Sequence, residues 1–280
     1  MTKNQPSNEI AFHVTTRGAL EVVMIHTRVD PSVFRVNDNY AFLIHNAVTG
    51  STTLIDAPEA APIMTVLNDR GWGLEHIVIT HHHNDHVDGL AELVAAFGSK
   101  VVGNAADVHR LPPLDIAVNA GAEIMLSDTP CHIIDVPGHT VGHIAIHAPD
   151  AECVFTADSL MTLGCGRLFE GTPAQMWDSM QRLRALPDHT WVCSGHEYTQ
   201  ANLAFALTIE PENEALHALA ERVGAKRAKG LPTVPSRLSE EKETNPYLRA
   251  DLQVLARAIN MSGAAAADVF AEVRQRKDNF

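Results

Sequence analysis

Between Tyr40 and about Cys193 the chain alternates short apolar runs of strand length with turns and with segments whose apolar residues recur three or four positions apart. Residues 40–44, 52–55, 76–79, 132–136 and 153–156 predict strands, and Ala60–Arg70 and 88–97 predict amphipathic helices, so this part reads as α/β rather than all-β. Thr172-Pro173 reads as a cap with proline in the first helical turn, and Met176, Trp177, Met180, Leu183 and Leu186 then follow at helical spacing. One more strand is predicted over residues 190–193. From Thr199 onward only helical patterns appear, over 200–210, 212–226, 248–260 and 265–277, interrupted by Gly230-Leu231-Pro232-Thr233-Val234-Pro235. The expectation is an α/β domain over residues 1–197 carrying a helical appendage over residues 198–280, with no short-period repeat and no low-complexity tract.

Length and composition agree with a folded chain: 280 residues allow a substantial core, and 45% hydrophobic with 20% charged residues is ordinary for a globular protein. A formal charge of −13 argues against nucleic acid and against anionic membrane surfaces, so an anionic ligand would need a local cluster of cations. The polar stretch Met1 to Phe12 has no apolar run of signal-peptide or membrane-spanning length, which makes the cytoplasm the default location. Cys131, Cys153, Cys165 and Cys193 show no CxxC spacing and read as buried, reduced thiols. Monomer is the default for oligomeric state.

Sixteen histidines matter less for their number than for their clustering. Thr80-His81-His82-His83-Asn84-Asp85-His86 follows directly on the apolar run Ile77-Val78-Ile79, so four imidazoles and a carboxylate crowd the loop where a strand ends. A single histidine there would read as a structural residue; this many ionisable groups bring no structural return and point to metal. Each ion needs three or four protein ligands, so others must come from elsewhere. His139, Asp158 and His196 all sit at the ends of strand-like runs. Singly, each reads as well as a loop or cap residue; together they complete the set.

His81, His83, Asp85 and His86 in the pattern HxHxDH, followed by His139, Asp158 and His196, resemble the metallo-β-lactamase superfamily. That resemblance implies a four-layer αββα sandwich with two metal ions at one edge of the sheets: one held by His81, His83 and His139, the other by Asp85, His86 and His196, with Asp158 bridging. His82 falls at the variable position and is not carried over, and Asp88 stands where the family often has glycine. Within the superfamily the chain is similar to the glyoxalase II (hydroxyacylglutathione hydrolase) family, from about Asn37 to Phe280. The motifs that carry the similarity are Gly164-Cys165-Gly166-Arg167-Leu168-Phe169-Glu170-Gly171, Gly195-His196-Glu197-Tyr198-Thr199, Pro232-Thr233-Val234-Pro235-Ser236, Asn245-Pro246-Tyr247-Leu248-Arg249 and Arg274-Gln275-Arg276-Lys277-Asp278-Asn279-Phe280. Arg167 replaces a common lysine and keeps the cation, whereas Phe169 replaces a common tyrosine and loses a hydroxyl.

The family resemblance implies hydrolysis of glutathione thioesters, S-D-lactoylglutathione in particular, the second step of methylglyoxal detoxification. A hydroxide shared by the two ions, held with the help of Asp85 and Asp158, would attack the carbonyl and expel a thiolate that needs no dedicated acid. Zinc is the expected metal, although His and Asp ligands also accept iron or manganese. Arg274 and Lys277, three apart on the last predicted helix, share one face. On the sequence alone they read first as a solvated helix-end cap; the resemblance instead implies that they grip the glycine carboxylate, with Arg167, Phe169 and Tyr198 nearer the metals. Asp56 fits either a turn or a partner for a ligand histidine. A persulfide dioxygenase-like enzyme or another thioester hydrolase of the same fold is the competing expectation, and the long helical C-terminal part weighs against the former.

Overall fold

The computed structural model describes residues 10–27 and 39–280. The polar N-terminal stretch therefore lies outside the described residues up to Glu9, as does Asn37, where the family-like stretch begins. A first sheet of seven strands runs in sequence order: β1 (Ala11–Arg17), β2 (Leu20–Thr27), β3 (Asn39–Asn46), β4 (Thr52–Ile55), β5 (His76–Val78), β6 (Lys100–Asn104) and β7 (Ile116–Val118). Its first half is an antiparallel meander; β4 to β7 are parallel, because helical crossovers replace the hairpins. A second sheet holds β8 (Glu123–Leu126), β9 (Thr129–Asp135), β10 (Ile144–Ala148) and β11 (Cys153–Ala157). After the small hairpin of β12 (Leu160–Met161) and β13 (Gly164–Cys165), this sheet is completed by β14 (Trp191–Ser194) and β15 (Ser236–Arg237).

Helices cover both outer faces. α1 (Ala60–Arg70), α2 (Asn84–Val87) and α3 (Leu90–Phe97) belong to the first sheet; α4 (Pro173–Arg184), α5 (Thr199–Ile209), α6 (Glu214–Arg227), α7 (Leu238–Thr244), α8 (Gln253–Ala258) and α9 (Ala266–Asp278) follow the hairpin. Three cores separate the four layers, each made by one side of an alternating strand. Val22, Met24, Phe42 and Ile44 meet Ile133, Ile144, Ile146 and Phe155 between the sheets. Val23, Leu43, Leu54 and Ile77 point the other way, onto Ile63 and Leu67 of α1 and Leu93 of α3. Ala145, Val154 and Val192 face Met176, Met180 and Leu183 of α4, behind which pack Phe270 and Val273 of α9. Because β3 is sandwiched on both faces, every one of its residues is buried. The predicted αββα architecture with a helical C-terminal region is the one observed.

Local signals act where the sequence places them. Thr172 accepts from Gln175 N at 3.2 Å and Gln175 Oε1 accepts from Thr172 N at 2.9 Å, a reciprocal capping box ahead of Pro173. Two strands, β1 and β2, precede the α/β stretch that the sequence pattern delimits. The helix expected over 248–260 is reduced to α8, since Asn245 caps a short turn at Pro246–Leu248 and Leu252 N bonds back to Arg249 O at 2.9 Å. The segment after Thr199 is not purely helical either: β15 pairs Ser236 with Val192 and Arg237 with Trp191, and the Arg237 guanidinium lies 3.6 Å from the Trp191 ring centre. Among the described residues no helix is long and apolar enough to cross a membrane.

Candidate metal centre

Strands β4 and β5 of the first sheet are parallel, as are β11 and β14 of the second, so their carboxyl ends face one edge of the sandwich. The loops leaving those ends carry Asp56, the segment 80–86, Asp158 and His196; the loop after β9 adds His139. The chain crosses between sheets through the backbone pairing of Asn39 with His196, and Tyr40 N bonds to Gly195 O at 2.8 Å. Asn39 Nδ2 also donates to Asp85 O at 2.7 Å, tying the first motif to the last.

Among the described residues, ligand atoms lie close enough to share a cation in three overlapping groups: His81, His83 and His139; His81, His86 and Asp158; Asp85, His86 and His196. In the first, His83 Nδ1 is 3.1 Å from His81 Nε2 and 3.0 Å from His139 Nε2. The other nitrogens of those rings are already committed. His139 Nδ1 donates to Arg167 O at 2.8 Å, and His81 Nδ1 lies 3.1 Å from Thr80 Oγ1, whose own proton goes to Asp56 Oδ2 at 2.9 Å. Two lone pairs therefore converge on His83, which can donate to only one of them when neutral. A divalent cation satisfies all three.

Asp158 stands between the groups. Its Oδ2 is 3.4 Å from His139 Nε2, while Oδ1 is 3.2 Å from His196 Nε2 and 3.4 Å from His86 Nε2. His196 Nε2 is also 3.5 Å from Asp85 Oδ2. Asp158 Oδ1 and His86 Nε2 are buried without a hydrogen-bond partner, the condition of ligand atoms aimed at an ion. Burial pushes His81 well down, His83 down to about 4 and His139 down, so all three offer neutral nitrogens. Burial also opposes charge on His86 and Asp158. It is outweighed by Asp56 and Asp158 for the first, which is held up, and by His196 and His86 for the second, which is held well below the carboxylate range. Glycines admit this crowding: a Cβ on Gly166 would meet Asp158 O at 2.0 Å, and one on Gly195 would meet Asp158 Oδ1 at 3.0 Å.

The centre forms one end of a cavity of about 700 Å³ lined also by Arg167, Phe169, Tyr198, Arg274 and Lys277. Phe169 presents its ring edge-to-face to His83 and His139, with centroids 5.8 and 5.2 Å apart, and is 62% exposed. Tyr198 stacks on His196 at 5.1 Å. Arg274 is buried, donating from Nη1 to Cys165 O at 3.1 Å and from Nη2 to Asp278 Oδ1 at 2.9 Å; the same oxygen is 3.4 Å from Arg167 Nε. Lys277 Nζ donates to Ala201 O at 2.9 Å and lies over the rings of Phe205 and Phe280. Burial and the neighbouring Arg274 charge bring Lys277 down to about 8.

The structure thus brings the seven sequence-derived ligand candidates together and gathers the five predicted substrate residues on one cavity. His82 stands apart at the rim, 3.5 Å from Asp107 and 3.7 Å from Glu170. Asp56 pairs with His86 Nδ1 at 2.7 Å, the contact that the ligand-partner reading expects. Sequence reasoning missed His143, which stacks on His81 with centroids 4.6 Å apart and 14° between planes and which burial holds down at about 3. Its signal was available in His139-Thr140-Val141-Gly142-His143, a second histidine one position before the apolar run of β10.

Residues 35–196 match the model of the metallo-β-lactamase superfamily, and residues 197–280 match that of the hydroxyacylglutathione hydrolase C-terminus. A hydroxyacylglutathione hydrolase of Ruegeria pomeroyi is 58% identical over 88% of this chain and 96% of its own length. One from a Jannaschia species is 56% identical over 90% and 99%. Among solved structures, ETHE1 from Myxococcus xanthus superposes with a TM-score of 0.60 over 85% of both chains at 24% identity, a likeness of fold. With the two family models together matching residues 35–280 and relatives of this identity covered almost completely, the chain belongs to the hydroxyacylglutathione hydrolase family of the metallo-β-lactamase superfamily.

Proposed function

We propose that the chain hydrolyses S-2-hydroxyacylglutathione thioesters, converting S-D-lactoylglutathione to D-lactate and glutathione, with two divalent ions, zinc in the first instance, at the histidine-aspartate centre. The observation that carries this reading is Asp158 standing between two clusters of imidazoles at one end of a cavity whose wall also holds Arg167, Arg274 and Lys277. The hydroxyacylglutathione hydrolase name borne by the relatives supports it. His81, His83 and His139 would hold one ion, Asp85, His86 and His196 the other, with Asp158 shared. When bound, such a pair supplies an ionised water at neutral pH and positive charge that polarises a carbonyl.

The chain's own groups do the rest. Asp85 and Asp158 set the negative charge of the centre and orient what it binds. Phe169, edge-on to two ligand rings, walls the acyl end of the cavity and keeps water off one side of the ester carbon. Arg167 and Tyr198 border the path of the peptide, and Arg274 and Lys277 supply the cations that a ligand with two carboxylates requires from a protein of net charge −13. Residues 198–280 act as the substrate-binding part, residues 1–197 as the catalytic part, and the enzyme works as a cytoplasmic monomer on a small-molecule substrate.

The test is an assay of S-D-lactoylglutathione hydrolysis run beside metal analysis of the same preparation. Turnover with two ions per chain, and a KM raised about tenfold or more by Arg274→Ala or Lys277→Ala, is expected, since an ionic hydrogen bond is worth about 1.5–3 kcal/mol. Metal-replete protein that leaves the thioester intact would overturn the reading.

A further inference from the structure

His143 supplies nothing to the ligand groups, yet it is fully buried against them. Its ring is committed at both nitrogens. Nδ1 lies 3.1 Å from Ile144 O, a carbonyl that can only accept, so the proton sits on Nδ1. Nε2 is then a bare lone pair, and it receives the backbone N–H of Asp158 at 3.3 Å. The two assignments agree, and a protonated ring would set an N–H against an N–H.

That backbone N–H needs an acceptor for a definite reason. β11 and β14 pair in register as far as Phe155 with Cys193, then slip by a residue so that Ala157 meets Ser194. Ala157 is in the left-handed region at φ 40°, a conformation costly for a residue with a side chain. The chain has left the ladder where Asp158 begins, and among the described residues no strand carbonyl takes its N–H. Val136 N bonds to His143 O at 3.0 Å and Ile144 N to Thr80 O at 3.1 Å, so His143 is fixed between the ends of both sheets.

We propose that His143 is a positioning residue of the metal centre: its neutral ring accepts the Asp158 N–H, and so holds the strained strand end that aims the Asp158 carboxylate between the two imidazole clusters. A residue that merely filled the core would be replaceable by an apolar side chain of similar size, whereas this role requires an acceptor at the position of Nε2. Glutamine can place its carbonyl oxygen near that point; leucine cannot.

The inference rests on the metal reading of the site, and the experiment separates the two. Apo protein is titrated with Co²⁺, followed by its visible absorption and by competition with a chelator, for the wild type, His143→Gln and His143→Leu; thermal unfolding of each apo protein reports folding. Wild-type protein that binds no Co²⁺ would end the metal reading itself. With wild-type binding established, His143→Leu should bind about 10–100-fold more weakly, as other partners of ligand groups do when removed. His143→Gln should stay within about threefold of the wild type at similar apo stability. Undiminished affinity in the leucine variant, or equal loss in both variants, would overturn the assignment. If leucine abolishes folding, the glutamine variant decides alone: a loss of tenfold or more refutes the role and near-wild-type affinity upholds it.

Discussion

Asp56 accepts from His86 Nδ1 at 2.7 Å and, with its other oxygen, from Thr80 N at 2.8 Å, so one carboxylate at the end of β4 orients two proposed ligands on the segment that follows the neighbouring strand β5. Its Oδ2 also takes the Thr80 hydroxyl proton at 2.9 Å, which leaves the Thr80 oxygen to face His81 Nδ1. Asp56→Asn keeps the shape and the φ of 58° but sets an amide donor against one of these donors. Metal affinity should fall about 10–100-fold while the fold persists. Chelator competition measures it; unchanged affinity would remove Asp56 from the account.

Phe169 is where this chain departs from the tyrosine common in the family, and its ring is 62% exposed beside His83 and His139. Phe169→Tyr restores a hydroxyl at the cavity. One added neutral hydrogen bond is worth roughly 0.5–1.5 kcal/mol, so KM for the lactoyl thioester should drop roughly threefold with kcat little changed. Steady-state kinetics decide, and a raised KM would mean the wall must be apolar.

Lys277, brought down to about 8 by burial and by Arg274, is a cation below that pH and loses its charge above it. If it binds a substrate carboxylate, KM should climb as pH passes from 7 through about 8 towards 9. Lys277→Arg, which stays charged, should flatten that climb. A pH–KM profile identical in the two proteins would rule Lys277 out as the source.

Glu241 is fully buried; its Oε2 accepts from Leu163 N at 2.8 Å and Asn245 Nδ2 at 2.9 Å, which anchors the hairpin that follows Asp158. Burial raises it to about 7 from a usual 4.5, so the folded state prefers the protonated acid. Its contribution to stability is full below about 4.5 and is lost as pH rises through about 7. Glu241→Gln, which mimics the neutral form, should therefore gain in melting temperature relative to the wild type between pH 5 and pH 8. Calorimetry at both values tests this; a gap that does not change with pH would refute it.

The strands that build the centre were legible because each is a dense apolar run followed within a few positions by a ligand candidate or its partner, as in Ile77-Val78-Ile79 before the histidine cluster. Capping chemistry was equally plain at Thr172-Pro173. Less legible were interactions that depend on distant segments meeting. β15 is two residues long and exists only because Trp191 and Val192 offer it a sheet edge. His143 hid for a related reason: its meaning comes from Asp158, fifteen positions on, and from a bulge that no local pattern announces. The roles given to Arg274 and Lys277 also came from family likeness, since a helix end with basic residues looks the same whether or not a ligand is near.

The pairing of β15 with β14 bears on how such enzymes can be re-engineered. His196 leaves the end of β14, and the flank of that strand is completed by residues 236 and 237, from within the helical part. Glu197, next to His196, accepts from Thr233 N at 2.7 Å and from Tyr40 OH at 3.1 Å, a second stitch between the halves. The C-terminal part is therefore not a plug-in module. Grafting it from another enzyme to change thioester selectivity would carry part of the scaffold of the reactive centre with it, and a seam cut at residue 197 would fall inside the structure that both halves share.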